Sequence, residues 1–136
     1  MTDLIIKIFQ NLQKVTEYGL LAFSGLCVGV QERVPVDKFG QYIKWALEGD
    51  DDECCRIACG IVTDIAGALM ENVALYIDNF VPNLINVLKN ENRNRQCKIV
   101  SIGALGDLCM YSGPQFSEKY LTDVLNIMES AAFMSL

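Results

Sequence analysis

Cysteine and acidic side chains are the groups in this sequence whose number and spacing could support chemistry. The 136 residues include six cysteines but no histidine. No two cysteines form a Cys-x-x-Cys pair, whereas structural zinc sites use closely spaced cysteine and histidine ligands. We therefore expect neither a metal site nor a cofactor. The cysteines are better explained as small buried side chains in a reducing compartment: Cys27, Cys54, Cys55, Cys59, Cys97 and Cys109.

A second candidate for chemistry is the acidic run from Asp50 to Glu53. A calcium-binding EF-hand loop spaces its carboxylates as Asp-x-Asp-x-Asp-Gly, and this run does not. We interpret it as a solvated turn that leads into a helix, since acidic residues favour the positive end of the helix dipole. The chain also lacks a Gly-x-Ser-x-Gly motif, a phosphate-binding loop and a plausible pair of catalytic acids. It is therefore not expected to be an enzyme.

Charge and hydropathy limit the partners. The chain has 11 basic and 17 acidic residues, a net charge of −6, and is 51% hydrophobic. A negative protein repels phosphate backbones, so basic peptides are more plausible partners than nucleic acid. The most apolar stretch, residues 57–77, is interrupted by Asp64 and Glu71, and it predicts a buried helix and not a membrane span. The start of the chain carries Asp3 and Lys7 among its apolar residues, unlike a signal peptide.

The hydrophobic spacing is helical along almost the whole chain. Apolar residues recur every three or four positions, and long alternating patterns typical of strands are missing. Pro35, Gly49 and the Gly113-Pro114 pair mark breaks between helices. The connections are short, so neighbouring helices should form antiparallel pairs. The pattern predicts seven helices, at residues 2–13, 15–31, 36–48, 53–70, 73–89, 95–111 and 116–130.

The sequence repeats itself with a period that indicates an α-solenoid. Gly60 and Asp64 are matched by Gly103 and Asp107, in each case 43 residues later. This period is that of HEAT and armadillo units, which stack helical hairpins into a solenoid. We therefore predict an all-α solenoid of about three and a half HEAT repeats in a single domain. The approximate repeats are 1–31, 36–70, 73–111 and a partial 116–136.

The two helices of each pair differ in composition. Helices 53–70 and 95–111 are apolar on almost every side and rich in glycine and alanine. We expect them to form sandwiched layers in which the small residues let neighbouring helices approach closely. Helices 73–89 and 116–130 are more amphipathic and should form an outer row.

Two segments carry a resemblance to a known family. The sequences CCRIACGIVTDIAGAL (54–69) and CKIVSIGALGDLCMYSGPQFSEKYLTDVLNIMESA (97–131) resemble successive HEAT repeats in the central-to-C-terminal part of importin-β, or karyopherin-β, receptors. The likeness continues upstream through residues 15–30. The spacing of Gly113, Phe116, Tyr120 and Leu121 is the most specific part of it. One departure is Val28, which stands where the repeat has an aspartate.

The resemblance implies a protein-binding role in nuclear import. Receptors of this family bind an importin-α-type adaptor or a basic cargo, Ran-GTP and Phe-Gly nucleoporins. They work in the cytoplasm, the nucleus and the nuclear pore. Direct nucleic-acid binding and membrane insertion are not expected. The alternative is a HEAT-repeat scaffold of another intracellular complex, of the phosphatase or vesicle-coat type.

Three acidic residues are the candidate partner-binding groups. Asp64 and Asp107 each lie in the middle of an apolar helix, where a carboxylate needs a partner or access to water. In one interpretation they satisfy polar groups of a neighbouring repeat. In the other, which the resemblance implies, they face the concave surface and bind a basic helix, with Glu71 seven residues beyond Asp64 on nearly the same face.

Aromatic residues of the first helices are the remaining candidates. The resemblance implies shallow apolar slots for Phe-Gly repeats between adjacent outer helices. Tyr42, Tyr76 and Phe80 are the candidate slot residues. Their spacing also fits an ordinary place in the core, which is the more frequent role of such side chains.

Overall fold

The computed structural model describes the backbone of residues 36–135 and the side chains of residues 40–130. The predicted helices 2–13 and 15–31, with Cys27 and Val28, lie outside the described residues. Within them the chain is helical and contains no strand. A 3-10 segment covers Met70–Tyr76, and the α-helices are α1 (Val36–Glu48), α2 (Asp52–Leu69), α3 (Ile77–Lys89), α4 (Arg95–Ser112), α5 (Pro114–Lys119) and α6 (Leu121–Ser135).

Side-chain caps begin the two longest helices. The Asp51 carboxylate accepts hydrogen bonds from the backbone N–H groups of Glu53 (2.9 Å) and Cys54 (3.2 Å) at the start of α2. Asn94 caps α4 in the same way, accepting from the Cys97 N–H at 2.8 Å. These bonds satisfy donors that the first turn of a helix leaves unpaired. The interpretation of the acidic run as a helix start is therefore confirmed.

The helices form two rows. The first row contains α1, α3 and α6, in which α3 contacts both of the others. The second row contains α2 and α4, whose mutual contact is the most extensive in the described part of the chain. Each second-row helix also packs against the first-row helix before it. Between α4 and α3, the Ser101 hydroxyl donates a hydrogen bond to the Leu84 carbonyl oxygen at 3.0 Å. The core lies between the rows, as expected of stacked helical hairpins.

Helix ends differ from the prediction at two equivalent places. The predicted helix 73–89 begins only at Ile77, because the chain turns at Met70 and continues as the 3-10 segment. The predicted helix 116–130 begins earlier, at Pro114, and is interrupted at Tyr120. Met70 (φ 52°, ψ −127°) and Gly113 (φ 58°, ψ −125°) have nearly the same backbone conformation, 43 residues apart. The sequence repeat thus extends to the way in which the helices end.

Among the described residues, one helical run is long and apolar enough to cross a membrane by length and composition, Asp52–Lys89. It is not one straight helix, since it turns at Met70. Half of its most apolar stretch of 18 residues is buried inside the protein. A buried core helix passes the same test of composition, so this run is weak evidence for a membrane span.

Candidate protein-binding surface

The second-row helices leave one side uncovered, which we call the second-row face. On α4 its exposed residues recur at intervals of three or four, which places them on one side of the helix. On α2 the corresponding positions are exposed or half-buried. The face consists of Gly60, Thr63, Asp64 and Gly67 on α2 and of Gln96, Ile99, Gly103, Gly106, Asp107 and Met110 on α4.

The glycines of this face do not serve packing between the described helices. A Cβ atom built on Gly60, Gly67, Gly103 or Gly106 meets nothing within 4 Å outside its own helix backbone. Among the described helices, the prediction that these glycines allow close approach of a neighbour is therefore wrong. The glycines lie on the outer side of the helices. The side that faces the core between the rows carries alanine instead, as at Ala58, Ala66 and Ala104. Each exposed glycine lowers helix stability by about 0.5–1 kcal/mol relative to alanine without a packing reason.

The two aligned aspartates both lie at the second-row face. Asp64 and Asp107 are half-buried, on adjacent helices of the same row. Asp107 makes no hydrogen bond or ion pair with the residues that the structure describes. The Thr63 hydroxyl, beside Asp64, donates to the Cys59 carbonyl oxygen at 3.4 Å. The face is thus mainly apolar and glycine-rich, with a carboxylate on each helix.

Glu71 does not continue the face as the sequence suggested. Helix α2 ends at Leu69, and Glu71 belongs to the 3-10 segment that follows. The seven-residue helical spacing from Asp64 is therefore interrupted by the turn at Met70. Glu71 is exposed at this end of the second row.

Two of the three slot candidates lie in the core. Tyr42 is 5% exposed and Phe80 1% exposed, because both point from the first row toward the core. Tyr76 is partly buried against that core. A groove of about 440 Å³ does run between α1 and α3, but none of the three lines it. Its lining is mostly polar, unlike a slot for phenylalanine: Gly40, Gln41, Lys44, Glu48, Asp78, Asn79, Pro82 and Asn83.

A buried arginine that the sequence analysis missed joins the two helical pairs. Arg93, only 4% exposed in its side chain, donates from Nη1 to Asp52 Oδ1 at 3.2 Å. Its Nη2 donates to the carbonyl oxygens of Leu47 (2.8 Å) and Gly49. The guanidinium therefore occupies oxygens of the acidic turn that would otherwise attract a cation. Its place in a polar turn predicts an exposed side chain. No feature of the nearby sequence distinguishes this buried arginine from an exposed one.

The cysteines of the described region are free thiols. Four are buried, and no group of three or more metal-binding side chains among the described residues could hold an ion. A hydrogen bond between the thiols of Cys55 and Cys59 lowers the pKa of Cys55 and, together with burial, raises the pKa of Cys59. Burial also raises the pKa of Cys97 to about 11, and its thiol donates to the Asp52 carbonyl oxygen at 3.0 Å. These thiols belong to the core between α2 and α4.

Comparison with known families supports the repeat architecture. The family described as "Importin subunit beta-1-like, TPR repeats" matches residues 1–136. TPR units are typically 34 residues long, whereas the 43-residue offset here is that of HEAT units. Both units are pairs of antiparallel helices. No solved structure matches the chain.

Three relatives share the same name. Importin subunit beta-1 of Schizosaccharomyces pombe is 26% identical over 136 residues, which cover 96% of this chain and 16% of that protein. The protein of that name from Arabidopsis thaliana is 25% identical over 122 residues, 88% of this chain and 14% of the relative. The one from Saccharomyces cerevisiae is 27% identical over 96 residues, 71% and 11% respectively. The chain thus spans about one sixth of the relatives' length, or less.

Proposed function

Because the chain belongs to the importin-β-1-like family, we propose that it is a protein-binding segment of a nuclear import receptor. In this proposal the chain performs no chemistry and works in the cytoplasm, the nucleus and the nuclear pore. Its partners are an importin-α-type adaptor or a basic cargo, together with Ran-GTP. The family assignment speaks against the alternative of a phosphatase or vesicle-coat scaffold.

The observation that carries the proposal is the second-row face. Its glycines lower the stability of α2 and α4, and no contact within the described residues requires them. A bare helix surface lets the backbone of a partner come close. A carboxylate on each helix, Asp64 and Asp107, supplies charges that attract a basic segment. We propose that a basic helix of the adaptor or cargo lies across this face.

Phe-Gly repeats do not fit the groove between α1 and α3. Its polar lining would lose hydrogen bonds to water if a phenylalanine ring filled it. Tyr42 and Phe80 would have to leave the core to reach a ligand. We therefore propose that Phe-Gly nucleoporins bind a surface other than this groove.

The test of the basic-helix proposal is a pair of charge-neutralising variants, Asp64→Asn and Asp107→Asn. Affinity for an importin-α-type basic peptide is measured by fluorescence anisotropy at low and physiological salt, with the melting temperature measured in parallel. Each variant should bind more weakly, because it loses a charge that attracts the peptide. Its affinity should also depend less on salt, because salt screens exposed charges over about 8 Å at physiological ionic strength. The melting temperature of the Asp107 variant, whose carboxylate has no partner among the described residues, should stay close to that of the unchanged chain.

The matched control is Asp123→Asn, which removes the same charge from an exposed position on α6 in the first row. It should bind as the unchanged chain does. Unchanged affinity with a lowered melting temperature in the Asp64 and Asp107 variants would instead assign the two aspartates a structural role. A separate pull-down compares Ran loaded with GTP and with GDP, and a receptor segment that binds Ran should retain more of the GTP form.

A further inference from the structure

Met70 has a backbone conformation that its side chain disfavours. Its φ of 52° and ψ of −127° lie in a region that glycine adopts readily and other residues rarely do. It is the only non-glycine residue with positive φ in the described part of the chain. The equivalent position of the next repeat, Gly113, has the same conformation and does carry glycine. The turn itself therefore does not require methionine.

The Met70 side chain gains little from the fold. It is 58% exposed, although it is large and apolar. The packing of the Met70 side chain therefore does not compensate for the backbone strain. Such uncompensated strain indicates a role outside the fold. Met70 caps the C-terminal end of α2, and the next residue in the chain is the exposed Glu71.

The surroundings of Met70 fit an amphipathic partner. Met110, 66% exposed, lies near the end of α4, which packs against the 3-10 segment after Met70. Methionine side chains are flexible and polarisable, and they adapt to varied apolar groups on a partner. Glu71 follows Met70 in the chain, and Asp107 stands three residues before Met110, on the same side of α4. Together they offer contacts to both the apolar and the basic side of an amphipathic helix.

We propose that Met70 is an apolar anchor that the strained turn holds at the end of the second-row face for a basic amphipathic helix. This inference rests on the proposed function, because it concerns the same face and the same kind of ligand. It adds a residue that determines affinity through apolar contact and not through charge. It also explains why methionine is present where the following repeat has glycine.

The test uses three substitutions of Met70 in the full chain and the basic helical peptide as probe. Met70→Gly removes both the strain and the anchor, so the melting temperature should rise while affinity falls by about tenfold or more. Met70→Ala removes the anchor but keeps the strain, so affinity should fall without a rise in melting temperature. Met70→Leu keeps an apolar anchor and should retain most of the affinity.

Leu125→Ala is the control, since it shortens a half-exposed apolar side chain on α6, outside the face, and should leave affinity unchanged. If the unchanged chain binds the peptide and Met70→Ala binds equally well, the anchor is refuted while the proposed function stands. If Met70→Gly does not raise the melting temperature, the strain is refuted. If the unchanged chain does not bind the peptide at all, both proposals fall.

Discussion

Arg93 connects two helical pairs through a single side chain. Its guanidinium bonds to Leu47 and Gly49 at the end of α1 and to Asp52 at the start of α2, although Arg93 itself follows α3. Its Nε is buried and has no hydrogen-bond partner in the part of the chain that the structure describes. Buried charges are stable only when paired, so the three bonds from the terminal nitrogens must offset most of the cost of burying this group.

Replacing Arg93 by methionine should destabilise the chain by about 2–4 kcal/mol. The substitution keeps an apolar stem of similar length but leaves two carbonyl oxygens and one carboxylate without their donor. Urea denaturation followed by circular dichroism measures the loss. Arg95→Met is the matched control, because Arg95 is exposed, and it should change stability by less than about 0.5 kcal/mol. Equal losses in the two variants would contradict the role of Arg93.

Gly103 within α4 and Gly113, which follows the end of α4, have opposite expected behaviour. Gly103 is exposed in mid-helix with open space around it, so Gly103→Ala should stabilise the chain by about 0.5–1 kcal/mol. Gly113 ends α4 with φ of 58°, so Gly113→Ala should destabilise it by about 1 kcal/mol. Thermal denaturation of both variants measures the two shifts. A destabilising Gly103→Ala would show that this face is covered in the folded chain.

The break between α5 and α6 is attached to α3 by hydrogen bonds. The Tyr120 hydroxyl donates to Asp78 Oδ1, and Lys119 Nζ lies 3.0 Å from Asp78 Oδ2. The bond from Tyr120, followed by that from Lys119, lowers the pKa of Asp78. Burial, followed by the bond to Asp78, raises the pKa of Tyr120 to about 12. The same hydrogen bond therefore lowers the pKa of Asp78 and raises the pKa of Tyr120.

These shifts predict how the contact depends on pH. The contribution of Asp78 is present above its unfolded pKa, about 3.9, and is lost as the pH falls through the lower folded pKa. The contribution of Tyr120 is present below about pH 10 and is lost as the pH rises through about 12. In Asp78→Asn the pKa of Tyr120, measured by NMR of ring-labelled tyrosine, should move down toward 10 without reaching it, because burial remains. An unchanged pKa would show that burial alone raises it.

At the scale of the whole molecule, the long-range contacts join neighbouring helical pairs. Arg93 bonds to Asp52 and Lys119 to Asp78, each across 41 residues. In a stack of this kind stability is approximately a sum over units and their shared interfaces. A defect at one end should therefore weaken the nearest helices first.

Phe116→Ala tests this locality. Phe116 is almost fully buried in α5, and its truncation should cost about 3–5 kcal/mol. Hydrogen exchange followed by mass spectrometry should show lost protection in α5 and α6, whereas protection at the contact between α1 and α2 stays near that of the unchanged chain. A uniform loss of protection over α1 to α6 would indicate a single cooperative unit.

The sequence by itself determined the helical class, the repeat of about 43 residues and most helix positions, because these depend on local hydrophobic spacing and on capping residues. Helix 36–48 has the predicted bounds, and the helix starts at Asp52 and Arg95 lie within one residue of the prediction. The family resemblance rested on the same repeated segments and is confirmed by the match over residues 1–136.

The tertiary structure decided which side of each helix faces the core. Glycine and alanine alternate in α2 and α4, and only the packing shows that alanine points inward and glycine outward. The turn at Met70 separates Glu71 from Asp64 because it interrupts the helical rotation on which their predicted alignment depended. The burial of Tyr42, Phe80 and Arg93 depends on residues distant in the sequence. Spacing within one helix does not contain that information, since burial is set by the neighbour that covers each side.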